Sequence, residues 1–329
     1  MTSSPATPPK TSVQPKYSYR AAGFALAAMG AILFSGKAIV VKFTYEYGVD
    51  AVTLIAFRML FSLPFFALIA LDQARRARRG QLPVLTTGER ARVIGLGLLG
   101  YYLSSFLDFL GLRYISVGLE RLILFLSPTL VLLITAFWLK RSIARRQWVA
   151  LGLSYAGVVL VFAHDLSQSV GDAIWLGAGF VFGSALTYAL YLIGSGELVK
   201  RVGSTRLTAY AMTVSSIACL IQFFVLHPAS TLIQPMGFYG LSLIHATVNT
   251  VLPVFMIMAA VSRIGAPLAA QLGMLGPVSV LFLAYWFLGE PVTSWQLAGT
   301  ALVLAGVFAL TGGRPARAKT APESQGAQT

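Results

Sequence analysis

Ten stretches of mostly apolar residues run through the chain, each close to the length that crosses a lipid bilayer. A membrane-spanning helix needs about 20 such residues. The sequence is 57% hydrophobic and only 11% charged, whereas a soluble domain carries about 25% charged residues. We therefore expect an all-α membrane protein with ten transmembrane helices. The predicted spans cover residues 21–41, 51–71, 93–112, 117–139, 148–162, 174–198, 207–226, 238–260, 267–288 and 295–311.

The basic residues alternate between the two sides of these spans. Cytoplasmic loops of membrane proteins are enriched in Lys and Arg, which predicts cytoplasmic N- and C-termini. Only Arg113 then falls in an outer loop. Membrane orientation thus accounts for the net charge of +14. We expect the lipid bilayer as a partner and no nucleic acid. The predicted cytoplasmic residues are Lys10, Lys16, Arg20, Arg75, Arg76, Arg78, Arg79, Arg90, Arg92, Lys140, Arg141, Arg145, Arg146, Lys200, Arg201, Arg206, Arg263, Arg314, Arg317 and Lys319.

An internal repeat divides the chain. Residues 115–158 align with residues 264–307 without a gap, at a constant offset of 149. A chain with such self-similarity is read first as a duplication. The identical pairs include Pro128/Pro277, Gln147/Gln296 and the run Ala156-Gly157-Val158, which matches Ala305-Gly306-Val307.

The odd number of spans in each half predicts that the two repeats are inverted in the membrane. Lys140-Arg141 aligns with Gly289-Glu290, so the charge of this turn changes with the side it faces. Inverted repeats are common in secondary transporters, whose substrate site lies between the halves near the midplane. We expect a cytoplasmic tail at 1–20, repeats at 21–165 and 172–313, and a second tail at 314–329.

Several segments resemble the EamA-type transporters of the drug/metabolite transporter superfamily. They are Gly111–Arg121, Ser127-Pro128-Thr129, Leu288-Gly289-Glu290-Pro291, Gln296, Gly299 and Ala305–Val307. The resemblance implies ten spans in two EamA repeats. It also implies transport of small metabolites, amino acids or drugs, commonly by proton-coupled antiport or facilitated exchange. The first half departs from the pattern where it reads Leu139-Lys140-Arg141-Ser142.

Five charged residues lie inside the predicted spans of the first half: Lys37, Arg58, Asp108, Glu120 and Arg121. A charge in mid-span costs about 2.5–3.5 kcal/mol on insertion scales, so it normally has a partner or lines a cavity. Their positions place all five in the outer third of the membrane, with one positive charge in excess. Two interpretations stay open, a structural ion network that joins the spans and a gate or anion-attracting vestibule in which a carboxyl carries a proton.

Polar residues at helical spacing form stripes on three spans. Such stripes either hydrogen-bond between helices or line a wet cavity. The candidate substrate-binding or gating residues among them are Tyr101, Ser104 and Asp108 on the third span, Tyr188 and Tyr191 on the sixth, and His245 and Asn249 on the eighth. Pro128 and Pro277, which are repeat mates, are candidate hinges because proline removes a helix hydrogen bond.

The sequence predicts a secondary transporter that exports a small metabolite, an amino acid or a related compound, across a bacterial inner membrane by alternating access. Proton coupling and efflux of drugs or lipophilic cations stay open, and a membrane enzyme or assembly factor acting on lipid is a remote alternative. No catalytic constellation, metal-ligand spacing or cofactor motif stands in a fitting context, so we expect no enzyme and no cofactor. The oligomeric state is left open.

Overall fold

The computed structural model describes residues 16–138, 145–168, 173–264, 269, 272–273 and 275–311, and these residues form helices without strands. The tails predicted at 1–20 and 314–329 therefore lie mostly or wholly outside the described residues, as does the Lys140-Arg141 turn. The α-helices are α1 (Lys16–Ser35), α2 (Lys37–Tyr45), α3 (Ala51–Arg78), α4 (Thr87–Gly97), α5 (Ser104–Leu112), α6 (Val117–Leu124), α7 (Ser127–Trp138), α8 (Arg145–Gln168), α9 (Ala173–Val202), α10 (Ser204–Leu226), α11 (Met236–Ala246), α12 (Leu252–Ile264), α13 (Leu275–Leu288) and α14 (Ser294–Thr311).

Eight helical segments of the described chain are long and apolar enough to cross a membrane. Several combine consecutive helices, such as α1 with α2 and α6 with α7. Two further apolar helices, Leu275–Leu288 and Ser294–Ala309, are shorter. The all-α membrane architecture expected from the sequence is confirmed, and eight of the ten predicted spans reach full membrane length.

Two spans of the first half are interrupted. The first span breaks between Ser35 and Lys37, where Gly36 joins α1 to α2. The fourth breaks between α6 and α7, just before Pro128. The proline thus lies in the first turn of α7, where its missing N–H costs no intrahelical bond. Pro277 likewise lies in the first turn of α13, so both predicted hinges stand at the start of a helix rather than in a bend within one.

The third and eighth spans carry matching π-helical segments. The first, Leu98–Leu103, joins α4 to α5, and the second, Thr247–Val251, joins α11 to α12. Their first residues are separated by 149 positions, the same offset as in the sequence repeat. Segments of this kind are rare and frequently stand at functional sites. The structural correspondence between the halves therefore extends further toward the N-terminus than the aligned segment.

Equivalent helices of the two halves pack against each other in opposite directions. α8 lies along α14, and the pair α3 and α10 packs in the same manner. A Cβ on Gly157 would lie 2.5 Å from the carbonyl oxygen of Gly299, and one on Gly306 would lie 2.7 Å from that of Ala150. The residue numbers in α14 rise along the contact while those in α8 fall, so the two helices are antiparallel. Small residues permit this close approach of two backbones.

The loops gather at two ends of the bundle. At one end, here called the acidic end (residues 46–50, 113–117, 227–235 and 289–293), Asp50 lies 3.0 Å from the imidazole of His227. At the other, the basic end (residues 79–86 and 200–206), Arg206 donates to the Pro83 carbonyl at 2.7 Å. This separation follows the alternation of charge in the sequence.

The main apolar core lies between these ends and joins both halves. Its fully buried members come from α2, α3, α5, α6, α10 and α13. They include Val41, Leu54, Met59, Phe109, Leu112, Met212 and Val280.

We predict that Gly157→Ala destabilises the protein by about 1–3 kcal/mol, the usual cost of overpacking. The added methyl group would meet backbone and side-chain atoms of α14. Gly152→Ala on the same helix is the matched control, because a Cβ there meets nothing within 4 Å. Thermal unfolding of the two variants in detergent measures the difference. Equal unfolding temperatures would contradict the close α8–α14 contact.

Candidate functional site

Four of the five predicted intramembrane charges form one buried network. The Lys37 ammonium lies 2.5 Å from Asp108 Oδ2 and 3.6 Å from Glu120 Oε1. The Arg121 Nε lies 3.7 Å from the other oxygen of Glu120. These side chains are almost fully buried. The network holds two positive and two negative groups, so it is neutral when all four are ionised.

The break in the first span is part of this network. Ser35 ends α1, and its carbonyl oxygen accepts a bond from Arg121 Nη2 at 3.2 Å. A Cβ on Gly36 would lie 2.8 Å from Asn249 Nδ2, which itself donates to the Leu33 carbonyl at 2.6 Å. The carbonyl groups near a helix end lack intrahelical partners. Here side chains of α6 and of the second π-helix satisfy them.

Arg58 stands outside the ion-pair network. Its Nε donates to Thr250 Oγ1 at 3.0 Å, and its Nη1 lies 3.4 Å from Ser105 Oγ. The Thr250 hydroxyl donates a hydrogen bond to the His245 carbonyl at 2.9 Å, which leaves the lone pairs of the hydroxyl oxygen to accept from Arg58. The contact joins α3 of the first half to the second π-helix in the other half.

Phe109 connects the two groups of charges. The Arg58 guanidinium lies 5.3 Å and the Lys37 ammonium 5.8 Å from its ring centre. The His245 ring stacks on it at 5.5 Å. A cation over an aromatic ring gains about 2 kcal/mol or more when both are desolvated. Sequence reasoning missed Phe109, because a phenylalanine in an apolar span looks like ordinary core, and its one signal was its place beside Asp108.

The buried polar atoms that lack a hydrogen-bond partner among the described residues concentrate in this region. Most buried polar groups in proteins have a partner, and each exception calls for an explanation. Those found in the cluster are Asp108 Oδ1, Glu120 Oε1 and Oε2, Arg121 Nε, His245 Nε2 and Asn249 Oδ1.

The predicted tyrosines form a second, less polar group. The hydroxyls of Tyr101 and Tyr191 lie 3.3 Å apart, and the Tyr188 and Tyr191 rings stack at 5.7 Å. Ser104, one turn along the third span, lies 3.0 Å from Ser184 Oγ. Tyr101 belongs to the first π-helix, so each half places a π segment beside predicted site residues. Ser104 stands between the tyrosines and Asp108 on the same span.

Three hydrogen bonds at or near the acidic end secure the start of α6, and the first of them joins the two halves. Glu290 accepts from the backbone N–H of Val117 at 3.3 Å, and Lys42 donates to the Ile115 carbonyl at 2.8 Å. Ser116, which caps α6, also donates to Asp165 at 2.8 Å. Burial raises the pKa of the Glu290 carboxyl above its usual range, and the Lys42 ammonium opposes that shift. These contacts hold the helix that carries Glu120 and Arg121.

The groups in this buried cluster can bind cations, protons or anions, which is the chemistry of a binding site. Among the described residues no group of three or more His, Cys, Asp or Glu side chains is placed to hold a metal ion. The unpartnered oxygens can accept a proton or an ammonium group, and the arginines can bind an anion.

Comparison with known proteins identifies the family. The EamA-like transporter family matches residues 21–163 and again residues 175–312. The chain belongs to this family. It is 30% identical over 311 residues to the uncharacterized transporter YcbK of Bacillus subtilis (strain 168), covering 93% of this chain and 97% of that one.

Other similarities agree with this assignment. The uncharacterized transporter YyaM of the same organism is 27% identical over 227 residues, covering 67% of this chain and 72% of YyaM. A solved structure described as "Crystal structure of protein" aligns with a TM-score of 0.59 at 15% identity, covering 88% of this chain and 96% of that one. This structural likeness concerns the fold alone. The protein is a multi-pass membrane transporter of the EamA-like family.

We predict that the Lys37 and Asp108 charges are energetically coupled. Removing one member of a buried ion pair costs about 3–5 kcal/mol, because the other charge is left uncompensated. Lys37→Met and Asp108→Asn should each destabilise strongly. The double variant keeps only the oppositely charged Glu120 and Arg121, so it should lose less than the sum of the single losses, by about 1 kcal/mol or more.

Unfolding of the three variants in detergent measures this coupling. Arg76→Gln is the control, since it breaks an exposed pair with Asp72 and should change stability by no more than about 0.5 kcal/mol. Additive losses in the double variant would show that the pair is not coupled.

Proposed function

We propose that this transporter moves a small metabolite, an amino acid or related compound, across a bacterial inner membrane by alternating access, with export as the preferred direction. The observation that carries the proposal is the buried polar cluster at the helix interruptions. Broken helices beside polar groups near the interface of two repeats are typical of transporter substrate sites. We place the substrate between Arg58, the Lys37 network and the tyrosine group.

The proposed architecture is ten spans in two inverted repeats, 21–165 and 172–313, with Pro128 and Pro277 at the hinges. The antiparallel contact of α8 with α14 and the matching π-helices support it. Rocking of one half against the other would open the cluster to each side in turn. The distribution of Lys and Arg favours a cytoplasmic basic end and cytoplasmic termini.

This topology predicts a definite pattern of labelling by a membrane-impermeant maleimide in intact cells. With Cys219 replaced by Ser, cysteines at Glu46 and Ser230 should react from outside. Cysteines at Gln81 and Ser204 should react only after permeabilisation. The four positions are exposed. Glu46 and Gln81 flank α3, and Ser204 and Ser230 stand at the two ends of the equivalent helix α10. Labelling of Gln81→Cys in intact cells would contradict the orientation, and equal sidedness of Glu46→Cys and Ser204→Cys would contradict inversion.

Asp108 and Glu120 support a role for protons. Both carboxylates lie within reach of one ammonium group, and each has an oxygen without a hydrogen-bond partner among the described residues. When a proton binds either carboxyl, the network gains a positive charge and its ion pairs weaken. Protonation on one side of the membrane and release on the other would then couple proton flow to the change of state.

We predict that an imposed pH gradient drives substrate movement in proteoliposomes. An untargeted metabolite comparison of cells and medium, with and without the protein, first identifies the compound. Asp108→Asn and Glu120→Gln should lower the ratio of gradient-driven uptake to substrate exchange, because each removes a titratable group. Uptake that ignores the gradient would reject proton coupling, and the absence of any vectorial movement would reject the transporter proposal.

Efflux of lipophilic cations is the second candidate function. The stacked Tyr188 and Tyr191 rings beside Tyr101 favour it, since aromatic faces attract cations. A drug-susceptibility panel in a deletion strain separates the candidates. Increased sensitivity to cationic drugs with an unchanged metabolite profile would favour the second.

A further inference from the structure

Arg58 differs from the other four charges that the sequence places inside the spans of the first half, Lys37, Asp108, Glu120 and Arg121. Lys37 and Arg121 share two carboxylates, and their network is neutral. Arg58 is 5% exposed, yet no carboxylate oxygen of the described residues lies within 4.0 Å of its guanidinium. It is therefore the structural location of the excess positive charge that the sequence places in the spans.

The groups around Arg58 reduce the cost of its burial without cancelling its charge. A hydrogen bond from a charged donor contributes about 1.5–3 kcal/mol. Arg58 makes one good bond of this kind, to Thr250, and its contact with Ser105 is long at 3.4 Å. The Phe109 face adds a cation–π contact. All three partners are neutral, so the charge itself remains available to an anion.

The nitrogen atoms of the Arg58 guanidinium differ in how fully they are hydrogen-bonded. Its Nε is engaged by Thr250, whose hydroxyl is oriented by its own bond to the His245 carbonyl. Among the described residues, the long contact with Ser105 is the one hydrogen bond that the Nη groups make. Nη donors in a planar fork match the two oxygens of a carboxylate. The structure thus anchors one side of Arg58 and leaves the donors suited to a carboxylate weakly used.

Side chains of the second half complete the surroundings. His245, from α11, shares the Phe109 ring with Arg58 and carries an Nε2 with no partner among the described residues. Asn249, from the second π-helix, likewise has an unpartnered Oδ1. Both residues are more than nine-tenths buried. Arg58 therefore lies where the two halves meet, the part of an alternating-access protein whose exposure changes.

We infer that Arg58 binds a carboxylate group of the transported molecule, with Thr250 as its positioning residue and His245 Nε2 as a second donor in its Nε2-protonated tautomer. This inference rests on the proposed transport function and deepens it, since it names the chemical class of the substrate. The carboxylate of the transported molecule compensates the charge of Arg58 during passage. The Lys37 network is already neutral, so it does not require a charged group from the substrate.

The test compares carboxylates with their amides, using wild-type protein and matched variants. The probes are neutral amino acids and short monocarboxylates, each paired with its amide. Binding is measured as a rise in the unfolding temperature of detergent-purified protein, and transport as uptake into proteoliposomes. Arg58→Gln removes the charge, and Arg58→Lys keeps it without the planar fork. Arg206→Gln is the control, because it alters another buried arginine, held by the Pro83 carbonyl at the basic end.

With the wild type, we expect at least one carboxylate to raise the unfolding temperature and to be taken up into proteoliposomes. Its amide should do neither. Arg58→Gln should weaken binding by about thirtyfold or more, as expected for loss of a buried charged hydrogen-bond partner. Arg58→Lys should retain part of the binding, and Arg206→Gln all of it. If Arg58→Gln does not fold, the comparison of acid with amide on the wild type and on Arg58→Lys still decides.

Three results would overturn the inference: amides that bind as well as their acids, unchanged affinity in Arg58→Gln, or no stabilisation by any carboxylate in the panel. Transport restricted to compounds without a carboxylate would reject it while leaving the transporter proposal intact. Carboxylate binding through Arg58 without vectorial movement would support the anion site and reject the transport function.

Discussion

The Lys37 ammonium, held between the carboxylates of Asp108 and Glu120, is the interaction on which the polar centre of the bundle depends. It joins α2, α5 and α6, and it makes two acidic residues tolerable in an apolar surrounding. Without it the carboxylates would face each other with only Arg121 in partial compensation. A bilayer offers no water to replace a missing partner, so the positions of these three helices are tied to charge balance as much as to apolar packing.

The two halves share features of backbone geometry, but they do not share their buried charges. The features shared by the halves are geometric: small residues where α8 crosses α14, prolines at the starts of α7 and α13, and π-helices in equivalent spans. The charges are not shared. Glu120 and Arg121 correspond to Ala269 and Ala270 in the sequence. A symmetric scaffold provides two equivalent arrangements of the halves, whereas an asymmetric set of charges can distinguish one ligand from another.

Sequence reasoning predicted the helical class and the family, because a run of apolar residues and a gapless repeat are local signals that survive without coordinates. It placed the charged residues on the correct spans, but it treated all five as one group. Their separation into a neutral network and an isolated Arg58 depends on distances across helices, which residue spacing within a span does not encode. Phe109 and Thr250 were missed for the same reason. Their identities are ordinary, and their significance comes from the neighbours supplied by other helices.

The π-helices show how local backbone geometry connects these observations. An ordinary α-helix uses each backbone carbonyl in the interior of a span, whereas a π segment alters the pairing and shifts the side chains that follow. In the second half this segment carries Asn249, which reaches the Leu33 carbonyl near the break in the first span, and Thr250, which holds Arg58. One irregular turn therefore contacts both the break beside the neutral network and the isolated guanidinium. A movement of the second half that withdraws this turn would loosen both together, so the proposed change of state and the exposure of the proposed anion site would share a single physical cause.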